Sequence, residues 1–154
     1  EFLWKFPGIE GFIRRTKLQA GKNGHVLTLS RRRRYLKNIN HSNYQLKSYA
    51  ERQAVNTTIQ GSASDMMKKA MLSIRDALQG LQAQASKKVA HIAYQFHDEL
   101  VCVVHDKTYL MQVARIIKQS MENVLSDAPC KFPVRLKSGV NLGKLQDFSL
   151  SSSG

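Results

Sequence analysis

Between residues 62 and 82 apolar side chains return every three or four positions, at Ala63, Met67, Ala70, Met71, Ile74, Leu78 and Leu81. That spacing lines them along one stripe of an α-helix, so a helix with a buried face is expected there. Residues 43–82 contain no proline that would force a break. Further on the pattern changes. Val89–Phe96 and Leu100–Val104 are β-prone runs separated only by His97-Asp98-Glu99, which predicts a hairpin with an acidic apex. A second amphipathic helix is expected from Lys107 to Leu125, burying Leu110, Val113, Ile117, Met121 and Val124, and a last strand over Phe132–Leu136. Upstream, Ile9, Phe12, Ile13 and Leu18 fall near helical spacing between Pro7 and Ala20, with Pro7 suited to a first turn and Gly21 and Gly24 to an end. His25–Leu29 and Tyr35–Ile39 then read as strands around an arginine tip, Ser30–Arg34. Helix, hairpin, helix, strand in the second half predicts an α+β fold, an antiparallel sheet with helices packed on one face.

Composition narrows the class. The 154 residues are 42% hydrophobic, too apolar for a disordered tail, yet no apolar run is long enough to span a bilayer. Cys102 and Cys130 cannot build a disulfide framework, and Cys102 lies in the apolar run Leu-Val-Cys-Val-Val, where a buried reduced thiol is expected and a reducing compartment with it. The first twenty residues mix charges among apolar residues and resemble neither a signal peptide nor an anchor. With no initiator Met, the start reads as cut from something longer, and the terminal Ser-Ser-Ser-Gly reads as a frayed end.

The net charge of +13 is concentrated in the first fifty residues, where eleven Lys and Arg face two acids. Arg31–Arg34, flanked by Arg14, Arg15, Lys17, Lys22 and Lys37, would neutralise phosphates. The run by itself also fits a nuclear-localisation patch or a solvated surface.

Two further patterns carry chemistry. At the apex, Asp98 and Glu99 would repel each other between two apolar strands unless compensated. Mg²⁺, which takes one or two carboxylates with waters and substrate phosphates, would compensate them; a solvated turn or an ion pair with an arginine would too. Zinc on His91, His97 and His105 is disfavoured, because their spacing lacks the short pairs of zinc sites. On the long helix, Arg52, Asn56 and Gln60 stand four apart on one face. Each donates hydrogen bonds, and the minor groove offers acceptors at every base pair, so such a row can follow a duplex without reading its sequence. A solvated helix face is the alternative. Gly61 and the small residues after it mark either a close approach to the helix or a weak point in it.

Taken together and in this order, these segments resemble the C-terminal part of family A DNA polymerases, the group of bacterial DNA polymerase I and the eukaryotic polymerases theta and nu. The residues that carry the resemblance are Phe6-Pro7-Gly8-Ile9, Thr28-Leu29-Ser30 with Arg31–Arg34 and Tyr35-Leu36, then Ala50-Glu51-Arg52-Gln53-Ala54-Val55-Asn56 with Ile59-Gln60-Gly61-Ser62-Ala63-Ser64-Asp65, and His97-Asp98-Glu99-Leu100. It extends to about Phe148, and the helix wording looks closer to the theta and nu branch.

The resemblance implies a template-directed DNA polymerase of replication or repair, in which Asp98 is a ligand of catalytic Mg²⁺, Glu99 supports the metal site and His97 lies near the primer terminus. Arg52, Asn56 and Gln60 would contact primer and template in the minor groove, while Arg32 and Arg33 would lie by the nucleic-acid backbone. Primer-template DNA and deoxynucleoside triphosphates would be the partners, with no membrane involved. Residues 1–45 would be the end of a helical fingers region, 46–150 part of the catalytic palm with its antiparallel sheet, and 151–154 a disordered tail. The family's motifs A and B are expected before residue 1, so the two-metal site would be only partly supplied here and the isolated segment inactive. Three departures stand out: the family usually has Gly at Arg31, Pro at Lys37 and Trp at Leu142. A non-catalytic DNA-binding module is the alternative function. A metal-dependent nuclease is disfavoured by having only two close acids. A nuclear location follows from the theta and nu resemblance alone.

Overall fold

The computed structural model describes residues 5–126 and 128–150. The expected frayed tail, residues 151–154, lies outside them. The architecture is α+β, divided into two compact units, Glu1–Asp65 and Met66–Gly154.

In the first unit, helix α1 (Pro7–Asn23) starts with a proline in its first turn and stops at Gly24, whose φ of +69° lets its amide close back on the Ala20 carbonyl at 2.8 Å. Its buried residues are Thr16 and Ala20, whereas Leu18, expected inside, is 69% exposed. Strands β1 (His25–Leu27) and β2 (Arg33–Tyr35) pair antiparallel, Val26 opposite Arg34. The expected second strand, Tyr35–Ile39, is displaced towards the arginines, and Leu36 and Ile39 instead fold inward from a turn. Asn43 starts α2 (Tyr44–Asn56) by accepting from the Gln45 and Leu46 amides at 2.9 and 3.3 Å. Ala20, Val26, Leu36, Ile39, Ala50 and Ala54 form the core of this unit. The small Ala20, Ala50 and Ala54 allow close backbone approach between helices.

The expected long helix is interrupted. After α2 comes a π-turn, Thr57–Gly61, before α3 (Ser62–Ala85). On α3 the predicted stripe holds from Ala70 through Ile74, Leu78 and Leu81, all buried, while Ala63 at its start is exposed.

In the second unit, Ile74, Leu78 and Leu81 pack with Val89, Ala90 and Val113. Burying an aliphatic side chain such as Ile74 contributes about 1.5–3 kcal/mol. Strands β3 (Ala90–Phe96) and β4 (Glu99–Val104) form an antiparallel hairpin with an irregularity between Ile92 and Tyr94. A short turn, Lys107–Tyr109, leads into α4 (Leu110–Glu122), which is shorter than the sequence suggests. The strand expected over Phe132–Leu136 starts only at its last residue: β5 is Leu136–Ser138, paired with an unforeseen β6, Gln146–Phe148. Pro133 explains part of the shift, since it has no amide to give a ladder. Among the described residues the strands form three two-stranded antiparallel sheets, in keeping with the expected α+β class. No helix there is long and apolar enough to cross a membrane.

Candidate functional site

The acidic residues sit at the β3–β4 turn. Phe96 pairs with Glu99, so the loop is only His97-Asp98 and Glu99 is already the first residue of β4. The apex is therefore one residue shorter than expected, because a hairpin needs only two residues to reverse when one of them takes positive φ. His97 does so, at +53°, a conformation histidine tolerates better than most residues. Its carbonyl accepts from the Gln95 amide group at 3.2 Å, and its ring meets Phe96 edge-on at 4.5 Å. His97, Asp98 and Glu99 are all exposed. Among the described residues neither carboxylate forms a hydrogen bond or ion pair, so the arginine-paired reading of the apex has no support. Two adjacent carboxylates with open oxygens match the donor set of a hard divalent cation that keeps several waters. The described residues offer no group of three or more metal-binding side chains, and at this turn the carboxylates are two, Asp98 and Glu99. Of the three histidines, His91 and His105 come within 3.0 Å of each other, Nδ1 to Nε2. Burial in β4 pushes the Cys102 thiol up to about 11.

The basic and polar candidates belong to the first unit. Arg52 and Asn56 are exposed on α2, and Gln60 is exposed on the π-turn. The Arg52 guanidinium donates to the Ser48 hydroxyl at 3.0 Å and lies 5.9 Å from the centre of the Tyr49 ring. The π-turn changes how the row runs. Four residues of α-helix overshoot a full turn by about 40°, whereas the wider π-turn needs more residues per turn and falls short of one. The drift from Arg52 to Asn56 is thus reversed from Asn56 to Gln60, which brings the row closer to a straight line.

The four arginines divide. Thr28 and Arg32 face each other across a three-residue tip, with the Arg31 amide donating to the Thr28 carbonyl at 2.8 Å and the Thr28 amide to the Arg32 carbonyl at 3.0 Å. Arg31 holds φ at +62°, where glycine is favoured. The Arg32 Nε donates to Asp65 Oδ1 at 2.8 Å and its Nη2 to the Gly61 carbonyl at 3.4 Å; Arg34 Nη1 donates to the Thr57 hydroxyl at 3.1 Å. The Arg31 and Arg33 side chains are exposed and make no hydrogen bond or ion pair among the described residues. Arg32, expected beside nucleic acid with Arg33, is thus tied to the helix, while Arg33 is open to solvent.

Asp65 was not singled out among the sequence candidates, and its signal was indirect: an acid closing the run of small residues that begins at Gly61. Gly61 itself is a close approach, because a Cβ there would lie 3.0 Å from the Thr28 methyl.

A description of DNA polymerase family A matches residues 1–146. The chain is 36% identical to DNA polymerase I of Bacillus caldotenax over 121 residues, which is 79% of this chain and 13% of that protein. It is 33% identical to DNA polymerase theta of Drosophila melanogaster over 153 residues, 97% of this chain and 7% of that one. The solved POL domain of Pol1 from M. smegmatis, in complex with DNA primer-template and dNTP, superposes with a TM-score of 0.71 at 32% identity, over 80% of this chain and 21% of that domain. The chain spans about an eighth of the bacterial relative and less of the other. With the match running across both units, from α1 to the start of β6, the chain belongs to DNA polymerase family A.

Proposed function

We propose that the chain is the motif C segment of a DNA-directed DNA polymerase, joining a deoxynucleotide to a primer 3′-hydroxyl with release of pyrophosphate. The observation that carries this reading is the β3–β4 turn, which presents Asp98 and Glu99 side by side with no protein partner among the described residues. Asp98 and Glu99 would hold Mg²⁺, which when bound helps activate the attacking hydroxyl and offsets charge on the leaving group. The tight turn places the two residues next to each other in the chain, Asp98 in the loop and Glu99 at the start of β4, so both carboxylates are available at one end of the hairpin. His97, beside them, would meet the primer terminus. Arg52, Asn56 and Gln60 would donate to minor-groove acceptors common to all base pairs, holding the duplex without selecting its sequence. Arg31 and Arg33 would face phosphates. The remaining metal-binding carboxylate and the nucleotide-holding residues would come from sequence outside these 154 residues, and a nuclear setting belongs to the same proposal.

The test is primer extension by a polymerase chain containing this segment. Asp98→Ala should lower extension on the order of 10³-fold, the several kcal/mol of charge stabilisation that a catalytic metal supplies, while primer-template binding stays within about twofold. Extension that survives the change refutes the catalytic role and leaves a DNA-binding module.

A further inference from the structure

The arginine hairpin and the helix are joined at several points, all on the π-turn or just after it. The Leu29 amide donates to the Ser62 hydroxyl at 2.8 Å, and that hydroxyl donates to the Thr58 carbonyl at 2.5 Å. The Ser62 amide reaches the Ile59 carbonyl. Arg32 bridges Asp65 and the Gly61 carbonyl, and Arg34 reaches Thr57. The Thr28 side chain lies against Gly61, where even a methyl group would be crowded. A π-turn is rare and occurs mostly as a single turn set into an α-helix, so the contacts that surround one are candidates for what holds it. Here those surroundings are the hairpin tip, and the tip's strongest tie is a charge-assisted bond to a carboxylate whose side chain is only 8% exposed.

We infer that Asp65 and Arg32 form a latch that holds the π-turn and thereby sets where Gln60 stands on a bound duplex. Both are positioning residues that act through Gln60. The inference rests on the duplex-binding reading above and adds to it a residue of the wrong charge for contacting DNA. That sign makes the latch separable from simple electrostatics. Asp65→Asn raises the net charge by one, so phosphate attraction alone would tighten binding; a loosened latch weakens it. Arg32→Lys keeps the charge but cannot span Nε-to-Asp65 and Nη2-to-Gly61 at once, so it approaches the same question without altering the electrostatics.

The experiment measures binding of a polymerase chain containing this segment to a blunt 20-base-pair duplex of mixed sequence by fluorescence anisotropy at fixed salt, alongside hydrogen exchange of the Thr57–Gly61 amides. Gln60→Ala in the native background should weaken binding about fivefold, the effect of one hydrogen bond. Asp65→Asn and Arg32→Lys should each weaken it about threefold or more, speed exchange across the π-turn, and abolish most of the further loss from Gln60→Ala. Arg14→Ala serves as the control, since its effect should be unchanged in either latch variant; general loosening of the fold would shift both effects together and count against the latch. Tighter binding by Asp65→Asn, or a Gln60→Ala effect that persists undiminished in both variants, overturns the inference. If the native chain binds no duplex, the binding reading falls. The exchange data then judge the latch alone: faster exchange in the variants supports it and unchanged exchange overturns it.

Discussion

Arg31 is held at φ = +62° at the position where a three-residue hairpin loop closes back on its strand. In such loops a turn is followed by a left-handed residue, and glycine is the residue suited to it. An L side chain there crowds its own carbonyl at a cost of roughly 1–2 kcal/mol. Glycine would remove that cost but adds backbone freedom to the unfolded chain, worth about 0.5–1 kcal/mol in the opposite direction. The difference predicts that Arg31→Gly stabilises the fold by about 0.5–1 kcal/mol. For a chain of this size that is about 1–4 °C in melting temperature. Removing a charge from a run of four arginines also relieves repulsion, so the comparison must be with Arg31→Ala, which loses the same charge but keeps its Cβ in the left-handed region. Circular-dichroism melts of the native chain and both variants at about 0.15 M salt, where exposed charges are screened, separate the two contributions. Arg31→Gly should melt above Arg31→Ala. Equal melting temperatures, or an alanine variant that melts higher, would refute the argument from backbone strain. If the strain is retained for the sake of an outward cation, the glycine variant should also lose about one unit of salt slope in duplex binding.

Two other outcomes follow from titrating groups. Because burial pushes the Cys102 thiol up to about 11 while Cys130 is exposed, iodoacetamide at about pH 8 should alkylate Cys130 first and Cys102 only after unfolding; equal rates by mass spectrometry would contradict the burial. Asp106 is held well below the usual carboxylate range by hydrogen bonds from Lys87, at 2.7 Å, and from Thr108. Its ionised form is thus favoured by folding, and the stability this gives is complete above about pH 4 and lost as the pH falls through the lowered folded value. The melting gap between the native chain and Asp106→Asn should therefore narrow on acidification below about pH 4, and a gap that stays constant would show that Asp106 contributes through something other than its charge.

What could be read from sequence followed from periodicity. The α3 stripe was legible because Ala70, Ile74, Leu78 and Leu81 repeat at helical spacing over several turns, and all four are buried. The β3–β4 hairpin was legible because two β-prone runs flank a polar gap; its apex was misplaced by one residue because pairing of Phe96 with Glu99 depends on turn geometry, which polarity does not encode. The π-turn left no such trace. Thr57–Gly61 continues a helical pattern, and only Gly61 hinted at a close approach, while the contact that makes it close comes from Thr28, thirty-three positions earlier. Leu18 faces outward for a simpler reason: it stands two positions from each of the buried Thr16 and Ala20, which puts it on the opposite side of α1. The β5–β6 pairing reflects a limit of length: strands of three residues carry too few positions to show an alternation.

The arginine run shows why local charge is a poor measure of the charge a surface offers. Successive residues of an extended chain project to opposite sides, and around β2 the Arg32 and Arg34 side chains bond to the helix while Arg33 between them stays in solvent; Arg31, in the left-handed position of the loop, stays in solvent as well. A cation already bonded to a carboxylate has little to gain from a phosphate, which applies to Arg32; Arg34 keeps its full charge but directs one donor to the Thr57 hydroxyl. Both side chains bond to the π-turn. The run therefore has a structural role that its charge alone did not suggest, in Arg32 and Arg34, beside the open side chains of Arg31 and Arg33 to which the phosphate-facing proposal applies. Asp65, an acid in the most basic part of the chain, fits the same logic. It ties one arginine of the run to the helix and so anchors the loop tip beside the π-turn.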